Sequence, residues 1–147
     1  MPTAQDLMRR PVIAVSPETP ADEAVDLLVE NEVSGLPVVD TAGRIVGIFS
    51  EVDQIQRGSM AGRSVQHMMT KQVVTVDVQD SLVEVMHVFK DNSVRRLPVT
   101  ENGAMVGIIG LRDLVRYIRE TERTLEEIAP VFRDWERVES DGWCDFD

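Results

Sequence analysis

Two acids stand where a carboxylate could do chemistry. Asp53 closes the run Gly47-Ile48-Phe49-Ser50-Glu51-Val52-Asp53, and Asp113 closes Gly107-Ile108-Ile109-Gly110-Leu111-Arg112-Asp113. In each run an apolar, strand-like stretch gives way to a helix, so the acid lies one turn into that helix. An ionised carboxylate is an acceptor-only group, suited to facing two hydroxyl donors. The helix N-terminus beside it offers N–H groups to phosphate. The same spacing also suits a plain helix cap, with an acid at the third helical position bonding back to the helix start. Residue types alone leave both readings standing. Arg95-Arg96, just before Leu97, could bind a phosphate bidentately; the alternative is a pair of solvated loop arginines.

Little else points to chemistry. There is no Gly-x-Ser-x-Gly motif, no pairing of Cys144 with a histidine, and no Gly-x-x-x-x-Gly-Lys loop, so neither nucleophilic catalysis nor nucleotide hydrolysis is indicated. His67 and His87 lack Cys or acidic neighbours at ligand spacing, so no metal site is expected; His87 falls on the polar side of its helix. The catalytic list is empty, the chain reads as a non-enzyme, and no cofactor is required. A net charge of −11 argues against nucleic acid as a partner.

The elements that must position these residues occur twice. Leu36-Pro37-Val38 returns as Leu97-Pro98-Val99, and Val46-Gly47-Ile48 returns as Val106-Gly107-Ile108 one residue early. A unit this short buries too little apolar surface to stand alone, so the copies are expected to pack together. Val12 to Val15 and Val73 to Val76 are β-branched runs that predict strands. Thr19 and Asp80 are the expected helix caps, with Pro20 at the first helical position. Ala21, Ala24, Val25 and Leu28, and in the second copy Leu82, Val85, Met86 and Phe89, follow the i, i+3, i+4, i+7 spacing of an amphipathic helix. The larger second set predicts unequal spaces to fill. Two strands and a turn follow, with Asn102-Gly103 a strong hairpin signal. A further helix begins near Glu51 and near Leu111. Each copy reads β-α-β-β-α, an α/β (α+β) fold.

The expected organisation is repeat 1 over residues 1–57, a linker over 58–63, repeat 2 over 64–118, and a C-terminal helical, acidic extension over 119–147. Residues 120–147 carry ten Asp or Glu against three Arg, which sets them apart in composition. Val131, Phe132, Trp135 and Val138 could form a short amphipathic helix there. Apolar content of 43% suits a globular chain. The absence of a signal-peptide pattern or membrane-length apolar run, with one cysteine, leads to an expected cytoplasmic location and no membrane partner.

The order and spacing of these motifs, met twice, resemble a tandem pair of CBS domains, the cystathionine-β-synthase-type regulatory (Bateman) module. The resemblance rests on Asp6-Leu7-Met8 and His67-Met68-Met69, on the two valine-rich strands, on Val33 to Val39 and Val94 to Val99, and on the two Gly-to-Asp runs; it covers roughly residues 3–118. It implies two repeats packed sheet to sheet with pseudo-two-fold symmetry, and a homodimer. It further implies a ligand sensor that binds an adenosine-containing molecule: AMP, ADP or ATP first, S-adenosylmethionine or NAD less often. An unknown effector protein would receive the signal in trans. The alternative is a ligand-free structural or dimerisation module.

The resemblance carries over to two clefts. The second, preferred for a phosphorylated ligand, comprises Val73, Val74, Thr75, Val94, Arg95, Arg96, Leu97, Pro98, Gly110 and Asp113. The first comprises Val12, Ile13, Ala14, Val33, Ser34, Gly35, Leu36, Pro37, Ser50 and Asp53. In the family the Asp holds the two ribose hydroxyls and the valine-strand backbone faces the adenine. Thr75 replaces Ala14, and Arg95-Arg96 replaces Ser34-Gly35, which is why the second cleft is preferred. Gly110 departs from the expected Ser or Thr that Ser50 keeps.

Overall fold

The computed structural model describes residues 2–10, 12–50 and 61–120. Asp53, the helix expected from Glu51, and the acidic extension with its Trp135 stripe lie outside the described residues. The mixed α/β architecture built from two repeats is as the sequence leads one to expect. The described chain divides into two compact units. Among the described residues, one gathers 2–10, 12, 74–102 and 106–120; the other gathers 13–50, 61–73 and 103–105.

In the unit of the second repeat, the amphipathic pattern folds as α3 (Leu82–Asn92), and Leu82, Val85, Met86 and Phe89 are all fully buried. They pack in one core with Val76, Val78, Leu97, Val99, Ile109, Leu114 and Ile118. The sheet runs in the order β3 (Val76–Asp77), β4 (Arg96–Glu101), β5 (Ala104–Gly110). β3 lies parallel to β4, with Val76 opposite Val99. Asn102 and Gly103 both take positive φ, 53° and 86°, which is the type I′ hairpin that this dipeptide favours. The last described helix is α4 (Leu111–Glu120).

The unit of the first repeat is built alike. α2 (Ala21–Asn31) buries Ala21, Ala24 and Leu28 against Leu36, Val38 and Phe49. β1 (Gly35–Val39) pairs antiparallel with β2 (Ile45–Ser50), Leu36 opposite Phe49. Val15 adds a parallel bridge to Val38. The Ala-for-Leu and Leu-for-Phe differences give this core smaller fillings, as the unequal spacing sets anticipate.

Two local expectations need correction. Of the expected strands, only Val15 and Val76–Asp77 join a ladder; Val12 to Ala14 and Val73 to Thr75 carry no strand assignment. The helix caps fall one residue later than expected. Pro20 and Ser81 are the N-caps, and Ser81 Oγ accepts the Glu84 N–H at 3.2 Å. Asp80 instead turns back to accept the Asp77 N–H at 2.9 Å, and Thr19 Oγ1 accepts the Ser16 N–H at 3.1 Å. Both acceptors close the turn that precedes the helix rather than the helix itself.

The compact units also interleave along the chain. The leading segment of repeat 1, with α1 (Ala4–Leu7), packs on the second repeat: Ala4 N–H donates to Asp80 C=O at 2.8 Å and Gln5 N–H to Val78 C=O at 3.0 Å. The equivalent segment of repeat 2, with a 3₁₀ turn at Val65–His67, packs on the first: Val65 N–H donates to Thr19 C=O at 2.8 Å and Gln66 N–H to Pro17 C=O at 3.0 Å. Each segment ends on a sheet edge, Arg9 pairing with Ile108 and Thr70 with Ile48. A glycine makes room in both places. A Cβ on Gly107 would lie 2.8 Å from Met8 Cγ, and one on Gly47 would lie 2.9 Å from Met69 Cγ. The repeat boundaries are thus a property of the sequence, while each core is completed by the other repeat's first residues.

Candidate functional site

Where β5 gives way to α4, strand residues hand over to a helix whose first turn carries Asp113. The acid is 6% exposed, the one charged residue buried among the described residues. A buried charge needs partners, and Asp113 has three donors. Gly110 N–H donates to Oδ2 at 2.8 Å, Arg9 Nε donates to Oδ1 at 2.6 Å, and Arg116 Nη1 reaches Oδ1 at 3.3 Å. The Gly110 bond is the capping contact that the spacing allows. The capping and ligand roles are therefore not exclusive: one oxygen closes the helix start, while the other is held by two arginines that are more than half exposed.

Most of the other expected second-cleft residues belong to the same unit. Arg95 C=O accepts the Leu111 N–H at 3.0 Å, which ties the start of α4 to the residue before β4. Arg95 and Arg96 are half-buried, and Arg96 opens β4, so neither is an exposed loop arginine. Leu97 and Pro98 are buried; Val74 and Val94 are half-buried against the core. Thr75 is half-buried one residue before β3. Val73, however, clusters with the first-repeat unit and Val12 with the second, because the units interleave. The structure therefore gathers the expected second-cleft residues except Val73 into one unit.

In the first-repeat unit, Gly35 lies opposite Ser50 at the end of the β1–β2 ladder. Leu36 and Pro37 are buried, while Val33, Ser34 and Ala14 are half-buried. Ile13 is 42% exposed. Asp53 is outside the described residues.

Arg9 is the residue that the sequence reading missed. It lies in the segment before repeat 1, so no motif of repeat 2 includes it. A signal was present: the two leading segments align Met8-Arg9-Arg10 with Met69-Thr70-Lys71, and the charge at Arg9 has no counterpart. Elsewhere, His67 Nδ1 lies 3.0 Å from Ser64 Oγ and His87 is exposed. Among the described residues no cluster of three His, Cys, Asp or Glu could hold a metal, and no helix is long and apolar enough to cross a membrane.

Comparison with known proteins points the same way. The CBS domain model matches residues 4–53 and again 65–120. The chain is 30% identical over 118 residues to the CBS domain-containing protein YhcV of Bacillus subtilis, covering 78% of this chain and 84% of that protein. It is 32% identical over 114 residues to inosine-5'-monophosphate dehydrogenase of Methanocaldococcus jannaschii, covering 77% of this chain. The chain spans only 23% of that dehydrogenase. Among solved structures, CBSX2 in complex with AMP is similar at 30% identity and a TM-score of 0.73, with 82% of this chain and 98% of that one covered. CBSX2 from Arabidopsis thaliana is similar at 29% identity and a TM-score of 0.75, with 83% and 97% covered.

Proposed function

The chain belongs to the CBS domain family as a tandem pair, and from that premise we propose that it is a regulatory module sensing an adenosine-containing ligand of the AMP, ADP or ATP class. The observation that carries this reading is Asp113: an acceptor-only group, buried one turn into α4, a helix whose first N–H is held by the Arg95 carbonyl. In the proposed mode the carboxylate accepts the ribose hydroxyls. Backbone near Val74 and Thr75 faces the adenine, and Arg95, Arg96 and the α4 N-terminus take the phosphate. The first cleft, with Ser50, Asp53 and Gly35, is the weaker or different site. The AMP complex of a similar protein supports the ligand class. The module works in the cytoplasm as a homodimer, and ligand binding biases how its units pack, a change read by a partner in trans. S-adenosylmethionine and NAD are the less favoured ligands.

One observation favours a second reading. The three donors on Asp113 already serve the fold, so a ligand-free structural module would need the same residue. Thermal denaturation with AMP, ADP, ATP, S-adenosylmethionine and NAD separates the two, because a ligand that binds only the folded state raises the melting temperature by mass action. Stabilisation by the adenine nucleotides supports the sensor; no shift with any compound at millimolar concentration supports the structural module.

A further inference from the structure

We infer that Arg9 makes the second-repeat cleft select phosphorylated over uncharged adenosyl ligands, by exchanging Asp113 for the ligand's phosphate. The inference rests on the adenosyl-binding reading and concerns the same site.

The argument begins with acceptor capacity. A carboxylate offers about four acceptor positions, and three donors already occupy Asp113. A ribose diol brings two hydroxyl donors, so at least one occupant must leave. Gly110 N–H is backbone at the helix start and stays. Arg116 holds Oδ1 at 3.3 Å from within the same helix. Arg9 makes the shorter contact, 2.6 Å, through a side chain 56% exposed against 5% for its partner. Arg116 is as exposed, at 58%, so exposure alone does not choose between them; Arg9 is the one whose backbone lies outside the helix, and it can leave without moving α4.

Its departure changes the charge balance. A neutral nucleoside that displaces Arg9 removes a counter-charge from a buried carboxylate and returns only neutral hydroxyls. A phosphorylated ligand gives the released guanidinium a new anion. The guanidinium stays close, because Arg9 backbone exchanges two hydrogen bonds with Ile108, at 2.9 and 3.3 Å, two residues before Gly110. Its Nη groups make no hydrogen bond among the described residues, so the planar fork is available for bidentate contact. In the first-repeat unit Thr70 takes the corresponding place on Ile48. A hydroxyl there cannot perform this exchange, so the selectivity belongs to one cleft.

Calorimetric titration of the full chain with AMP and with adenosine tests this, using wild type, Arg9→Gln and Arg9→Lys, with Asp113→Ala to identify the transition of this cleft. Wild type should bind AMP more tightly than adenosine. Arg9→Gln should tighten adenosine and weaken AMP, lowering the ratio of the two affinities about 10- to 150-fold, the range for a hydrogen bond to a charged group. Arg9→Lys keeps the charge without the fork and should lower the ratio less; it supplies the reading if Arg9→Gln does not fold. Binding of both ligands with a ratio unchanged in the variants overturns the role of Arg9 and leaves the adenosyl reading intact. Binding of neither ligand by wild type overturns the adenosyl reading itself, and this inference with it.

Discussion

Arg9 and Asp113 are 104 residues apart in the chain and 2.6 Å apart in the fold. The contact exists because the segment before repeat 1 packs on repeat 2. The candidate second cleft is therefore completed by a residue that no reading of repeat 2 alone contains. It also places the only buried acid among the described residues under the control of an exposed cation.

Asp113→Ala should weaken nucleotide binding more than Asp53→Ala. The expected loss is about 10- to 150-fold in affinity, from roughly 1.5–3 kcal/mol for hydrogen bonds to a charged group. Titration calorimetry on the two variants decides it. Full affinity in Asp113→Ala with loss only in Asp53→Ala would reverse the ranking of the clefts.

The interleaved segments lead to a packing prediction. Gly107→Ala should destabilise the chain by about 1–3 kcal/mol, the usual range for overpacking, because its Cβ would meet Met8 Cγ at 2.8 Å and Met8 Cβ at 3.0 Å. Met8→Ala in the same chain should recover part of that loss, since the two changes share one contact. Urea denaturation of the single and double variants measures the coupling; strictly additive effects would contradict the docking of Met8 on Gly107.

Ser81→Ala should lower stability by about 1 kcal/mol, by removing the acceptor for Glu84 N–H. Asp80→Ala tests the expectation that the structure corrected. It should leave the helix cap intact and act only on the turn through Asp77 N–H. Denaturant midpoints of the two variants compare them, and a helicity loss confined to Asp80→Ala would restore Asp80 as the cap.

α2 and α3 each end on a non-glycine residue in the left-handed region, Glu32 at φ 53° and Ser93 at φ 50°. Glycine adopts that conformation without the Cβ penalty of roughly 1–2 kcal/mol. Glu32→Gly and Ser93→Gly should each raise the melting temperature. A fall in both would mean that the native side chains make contacts outweighing the backbone strain.

The fold was legible in the sequence wherever a period repeated. Leu82, Val85, Met86 and Phe89 announced one helix face, and Asn102-Gly103 announced its hairpin. The strands over 12–15 and 73–76 were over-read because β-branched runs signal extended backbone, and only a partner strand makes a ladder. The caps slipped by one residue because Thr19 and Asp80 are turn formers as well as cap formers. At the site, Asp113 was legible from spacing, but its occupant was not. Arg9 comes from a segment whose packing no local pattern encodes, since the exchange between repeats is a property of the assembled cores.

The central claim is that the cleft at Asp113 binds an adenosine nucleotide. Calorimetric titration of wild type and Asp113→Ala with AMP, and of wild type with GMP, tests it most directly. The account predicts saturable AMP binding to wild type, much weaker GMP binding, and about 10- to 150-fold weaker AMP binding to Asp113→Ala. Equal affinity for AMP and GMP, or AMP affinity unchanged in a folded Asp113→Ala, would contradict it and leave Asp113 as a helix cap with its arginine partners.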